Sequence, residues 1–222
     1  MTKARLEAFS DGVFAIAITL LVLDLRVPQG LAEGGLWAAL RAAWPSYCAY
    51  LTSFLVIGIM WVNHHGVFER ARAVDRPVLF ANLALLLLVS VLPFPTRLVA
   101  EFLTRGDDGK AALAVYSVVM VLVGWAYSAL WLVLTRETEG EGLLLAHLDR
   151  AAHRAAIRRF GLGSVAYLTT VGLSFVTPVG TLAVHAALAV YYCFDQLRAA
   201  PAVAPAGPPG SPGSGNAPRP IA

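Results

Sequence analysis

Apolar runs of about 20 residues, each long enough to cross the hydrocarbon core of a bilayer as a helix, recur six times, at roughly 9–27, 47–68, 77–99, 111–135, 157–177 and 180–195. A chain of 222 residues has no way to bury that many inside a soluble core. Hydrophobic residues make up 58% of it and charged residues 14%, far from the balance of a soluble domain. The pattern predicts an all-α, polytopic integral membrane protein with six transmembrane helices in one domain over 1–198. Residues 199–222 are rich in proline, glycine and alanine, cannot assemble a core, and are expected to be a disordered tail. The first run is not expected to be a cleaved signal, because Asp24 and Arg26 follow it where a small-residue cleavage site would stand.

Positive residues are retained in short cytoplasmic loops. With the N-terminus inside, twelve of the 17 lysines and arginines fall in cytoplasmic segments, among them Arg70, Arg72 and Arg76 in the second loop and Arg150, Arg154, Arg158 and Arg159 in the fourth. The expected location is the cell (cytoplasmic) membrane, with both termini cytoplasmic. The excess of basic residues is then topology and lipid contact, and no nucleic-acid partner is implied. Segment 143–159 reads either as a basic amphipathic helix on the membrane surface or as an extension of the fifth span. Cys48 and Cys193 fall in or beside spans and show no disulfide or metal-ligand spacing, so neither a metal nor a cofactor is expected.

The first span is unusual for the charges it keeps: RLEAFSDGVFAIAITLLVLDLRVP runs from Arg5 to Pro28. At about 100° per residue, Ile16, Thr19, Leu20 and Leu23 share one face, with Phe9 and Gly12 continuing it toward the inner end. Asp11 points nearly the opposite way, and Ser10 to one side. Ser10 and Asp11 fit a helix N-cap with an acidic first turn. They equally fit a buried polar motif, because the second span ends inside with Trp61, Asn63, His64 and His65, a set that supplies donors to a carboxylate. The histidines alone also fit a pair at the headgroup interface. The third span holds Asn82 and Ser90 and breaks at LPFPTR. Asp24 is expected to pair with Arg26 or a neighbouring subunit, with an outer cation-attracting ring as the alternative. No internal repeat is evident, so a pore would lie between subunits.

Arg5-x-x-x-Phe9-Ser10-Asp11 with its continuation GVFAIAITLLVLDL, the cluster Trp61-x-Asn63-His64-His65 and the third-span ending VLPFPT resemble the transmembrane protein 175 family of potassium channels in its single-repeat prokaryotic form. The likeness covers most of residues 5–97. It implies a homotetramer whose first helices surround a central pore, with K+ as the permeant ion and membrane lipids around it. By resemblance Ile16 is the narrowest hydrophobic ring, Thr19 offers hydroxyls one turn above, and Leu20 and Leu23 continue the lining. Arg5, Phe9, Ser10 and Asp11, with Trp61, Asn63, His64 and His65, would form the motif and network that fix that helix. An apolar ring of this kind gates by dewetting.

TTVGLS at 169–174 shares three residues with the filter of ordinary potassium channels, but it lies inside an apolar run and lacks the tyrosine-glycine completion. It is read as helix. The competing function is a proton- or ion-coupled secondary transporter in which Asp11 and the histidines relay protons. An enzyme is not expected: beyond His64 or His65, no further residues of a catalytic constellation are present.

Overall fold

The computed structural model describes residues 2–28, 35–136, 143, 163 and 165–199, with side chains as far as Cys193. Its elements are all helical. α1 (Lys3–Leu20) runs into a single 3-10 turn (Leu21–Asp24), followed by α2 (Gly35–Ala42), α3 (Trp44–Glu69), α4 (Arg76–Val91), α5 (Pro93–Phe102), α6 (Asp107–Leu134), α7 (Val165–Ser174) and α8 (Pro178–Ala199). Lys3–Asp24, Trp44–Glu69, Arg76–Phe102 and Asp107–Leu134 are each long and apolar enough to cross a membrane; the described parts of α7 and α8 are shorter apolar helices. A helix satisfies its own backbone polar groups, which is the condition for passing through hydrocarbon.

Local chemistry sets the boundaries. Thr2 is extended and precedes α1, so the helix is already two turns old at Ser10, and Ser10 and Asp11 are not its cap. Pro45 and Pro77 occupy first turns, where a missing N–H costs nothing. The Asp75 carboxylate caps α4 by accepting from the Val78 N–H at 3.1 Å. At LPFPTR the chain bends where a stop is expected: Leu92 keeps helical dihedrals, and Pro93 and Pro95 open α5, which continues to Phe102. The α5–α6 corner requires glycine twice. Gly106 has φ +56°, and a Cβ on Gly109 would stand 2.6 Å from the Leu103 carbonyl oxygen.

Half of the spanning window of α6 is buried, against 28% for α1, which makes α6 the central post and α1 a peripheral one. α6 packs on α4 and α5, while α1 lies in the groove between α3 and α4. Its buried residues are Leu6, Ser10, Phe14 and Ala17, spaced four, four and three apart, the repeat that keeps one side of a helix inward, and Leu21 of the 3-10 turn follows them. The core they join includes Phe68, Leu85, Leu113 and Tyr116.

Both ends of the bundle are tied. At the basic end the second Asp75 oxygen accepts from Arg136, just past the end of α6, and the Arg72 N–H donates to the Leu143 carbonyl at 2.8 Å. At the opposite end the Arg26 side chain donates to Glu101 at 2.7 Å, and Asp24 sits in the field of Arg97 and Arg26. Apart from Leu143, the segment 143–159 lies outside the described residues, as do the start of the fifth span and all of the expected tail beyond Ala199. TTVGLS is helical, and the Thr169, Thr170 and Ser174 hydroxyls donate to carbonyls of their own helix three residues back.

Candidate functional site

The site is built on the two sides of α1. On the inward side a chain of hydrogen bonds crosses three helices at the depth of Ser10. Asn82 Nδ2 on α4 donates to Ser10 Oγ at 3.0 Å, and Asn82 Oδ1 lies 2.8 Å from His64 Nε2 on α3. Ser10 Oγ in turn donates to the Leu6 carbonyl at 2.9 Å. A serine hydroxyl has one hydrogen, so the bond to Leu6 makes Ser10 an acceptor toward Asn82. That points the Asn82 amide nitrogen at Ser10 and its oxygen at His64, and the proton therefore sits on His64 Nε2. All three side chains are buried. The His64 ring lies between Phe14 (centroids 5.3 Å apart) and Phe68 (4.7 Å), and the Asn82 amide is the partner of its Nε2.

Asp11 takes no part in this chain. It is exposed, and its Oδ1 accepts from Trp61 Nε1 at 2.9 Å, tying α1 to α3 on the surface of the bundle. Trp61 stacks on His65, whose Nε2 is 3.3 Å from Glu69 one turn on. The polar motif therefore divides in two: Ser10 and His64 face inward through Asn82, while Asp11, Trp61 and His65 face outward. Asn63 is half-buried. Arg5 and Phe9 are exposed, and helical geometry places Arg5 on the same side of α1 as Gly12 and Ile16.

That bare side holds the expected stripe. Ile16 is 61% exposed, Leu20 42% and Leu23 70%, with Phe9 and Thr19 also exposed. The Thr19 hydroxyl donates backward to the carbonyls of Ala15 and Ile16, both at 2.9 Å. Its hydrogen is thereby committed to the helix, and its lone pairs are presented outward. Such an oxygen is an acceptor only, suited to a cation or a donor. Among the described residues, no cluster of His, Cys, Asp or Glu has the makings of a metal site.

Asn82 is the participant the sequence pattern does not single out. An asparagine in a run such as LFANLALLLLV demands a partner inside the membrane, but which helix supplies it depends on how α1, α3 and α4 come together. A second interior group was likewise hidden in apolar runs: the Thr96 hydroxyl of α5 gives its hydrogen to the Leu92 carbonyl and lies 2.8 Å from Ser53 Oγ of α3, Ser53 lies 3.1 Å from the Tyr116 hydroxyl of α6, and Ser117 lies 2.9 Å from His185 of α8.

Fold and site together define a polytopic helical membrane protein whose first helix is keyed into the bundle by polar contacts and leaves an apolar stripe bare. A family model described as endosomal/lysosomal potassium channel TMEM175 matches residues 5–93. A potassium channel of Streptomyces collinus is 54% identical over 195 residues, which is 88% of this chain and 93% of that protein. One of Chamaesiphon minutus is 40% identical over 190 residues, 85% and 92% of the two chains. The crystal structure of a lysosomal potassium-selective channel TMEM175 homolog from Chamaesiphon minutus superposes with a TM-score of 0.77 at 38% identity, covering 87% of this chain and 97% of that one. The chain belongs to the TMEM175 family, whose named relatives are ion channels rather than enzymes.

Proposed function

We propose that this protein is a modestly potassium-selective cation channel of the cytoplasmic membrane, assembled as a homotetramer of six-span subunits with the basic end and both termini cytoplasmic. The first helices of four subunits surround the pore, with Ile16 as the narrowest ring, Thr19 one turn beyond it, and Leu20 and Leu23 continuing the lining. The observation that carries this reading is the two-sidedness of α1: Ser10 is fully enclosed, whereas Ile16 and Leu23 stand open on the far side.

Lipid is the competing surface for such a stripe. Gly12 and Thr19 lie along it and Arg5 at its inner end, residue types that give lipid little to pack against. Four isoleucine side chains converging on an axis make a constriction that excludes water, and a small widening admits a partly hydrated cation. Four Thr19 oxygens, each with its proton turned away, replace part of the hydration shell; ligand number and field strength then favour potassium modestly over sodium. The transporter alternative needs Asp11 and the histidines in one relay. Here Asp11 bonds to Trp61, while the chain from His64 ends at the Leu6 carbonyl, an acceptor that carries no transferable proton.

The deciding experiment is a flux assay on purified full-length protein in liposomes, with potassium and sodium compared. Fast potassium flux and single-channel currents are expected. Saturating, carrier-rate flux from well-folded protein would overturn the reading.

A further inference from the structure

α2 is the one described helix that buries none of its residues, and it packs chiefly against the start of α3. Gly35, with φ +64°, turns the chain into it, and Pro45 lies just past the junction with α3. At 100° per residue Leu36, Trp37 and Leu40 occupy one side, Arg41 stands at the edge of that side next to Trp37, and Trp44 opens α3 just beyond the break at Ala43. Trp37 is 75% exposed and Leu36 51%. The Arg41 Nε donates to the Trp37 carbonyl at 3.3 Å, holding the stem along the helix. Among the described residues Arg41 has no acidic partner.

Water does not suit such a face. The helix ends where the membrane-spanning helix α3 begins, the level at which tryptophans collect in the headgroup region. It has the amphipathic form of a segment that lies in that region, with an arginine placed to keep its aliphatic stem among apolar groups and its charge among phosphates. Leu51 and Phe54 of α3, a helix long and apolar enough to cross a membrane, are likewise exposed. A second copy of the chain would cover the indoles equally well, but it would not account for a guanidinium that has no acidic partner among the described residues.

We propose that α2 is a lipid-binding helix at the end of the bundle opposite the basic one. Trp37 and Trp44 seat in the headgroup layer, and Arg41 takes the phosphate of an anionic phospholipid. The inference does not depend on ion conduction, and its test reads binding alone.

Full-length protein is reconstituted in phosphatidylcholine vesicles with and without phosphatidylglycerol, one lipid at a time carrying bromines on acyl carbons near the headgroup. The loss of quenching in Trp37→Phe relative to the parent isolates the signal of Trp37. Strong quenching of Trp37 is expected, greater with brominated phosphatidylglycerol than with brominated phosphatidylcholine. Arg41→Gln is expected to reduce that preference about fivefold, the contribution of one basic residue at a lipid surface, and Arg41→Lys to retain most of it. A Trp37 that shallow bromines leave unquenched, or a lipid preference indifferent to Arg41→Gln, would overturn the proposal. So would efficient cross-linking of Trp37→Cys between two copies in a Cys48→Ser, Cys193→Ser background, because that assigns the face to a neighbouring subunit.

Discussion

His64 Nε2 and Asn82 Oδ1 lie 2.8 Å apart in the interior of the subunit, joining α3 to α4 at the point where α1 crosses both. With Ser10 on the other arm of the same amide, one asparagine holds three helices together. Lipid offers no replacement for any of these bonds, so the residue that closes the chain governs how α1 is seated.

Asn82→Leu is expected to destabilise the protein by about 1–3 kcal/mol, the penalty for a buried donor left unsatisfied, read as a lower Tm in detergent. Adding His64→Phe removes the orphaned donor, and the double variant should recover part of the loss. An unchanged Tm in Asn82→Leu, or strictly additive losses, would contradict a chain that acts as a unit.

Ile16→Asn is expected to raise the resting potassium flux of reconstituted protein at least about tenfold, the change that 1.4 kcal/mol of barrier produces, because an amide wets an apolar constriction. Size-exclusion chromatography establishes that the variant is folded. Unchanged flux in intact protein would remove Ile16 from the gate.

Thr19→Ala should lower the preference for potassium over sodium while conduction persists, and Thr19→Ser should keep it, because the serine hydroxyl can also turn its proton toward the Ala15 carbonyl. The reversal potential under bi-ionic conditions checks this. A potential that does not move in Thr19→Ala rules out the threonine oxygen as a ligand.

Asp11→Ala removes the acceptor for Trp61 Nε1, whereas Asp11→Asn keeps an oxygen in the same place. Asp11→Ala and Trp61→Phe are both expected to weaken subunit assembly more than they alter ion preference, with Asp11→Asn close to the parent. Size-exclusion profiles and melting curves that match the parent in all three variants would show that this surface contact supports nothing beyond itself.

Asp75 serves two partners, capping α4 with one oxygen and holding Arg136 with the other. Asp75→Asn retains the capping acceptor and should lower stability less than Asp75→Ala, which loses the cap as well; the cap contributes about 1 kcal/mol. Equal melting temperatures for the two variants would remove the cap from the account.

Much of this was legible in the residues. The spacing of Phe9, Ile16, Thr19, Leu20 and Leu23 places them on one helix face whatever surrounds it, because that inference needs only the helical period. Four spans follow in the same way from length and hydropathy. What single-helix periodicity cannot supply is partnership. Ser10 and Asp11 are adjacent in sequence, yet they enter different contacts because 100° of rotation separates them across the boundary of the subunit. Asn82 has the right chemistry, but only the meeting of α1, α3 and α4 gives it a role. α2 leaves no mark in a search for spans because eight residues fall far short of one, although Leu36, Trp37, Leu40 and Arg41 carry its amphipathic signature. The bend at Leu92 reads as a stop because prolines end most helices, and here their positions at the start of α5 let the helix resume.

The enclosure of Ser10 limits how α1 can move. Spinning the helix about its own axis would pull the hydroxyl off the Asn82 amide and strand both in an apolar medium, so roll is blocked. Swinging about that point keeps the bond, with Ser10 as the fulcrum. Ile16 lies six residues along the lever, about 9 Å away, so a swing of only about 10° carries its side chain roughly 1.5 Å sideways, the radius of a water molecule.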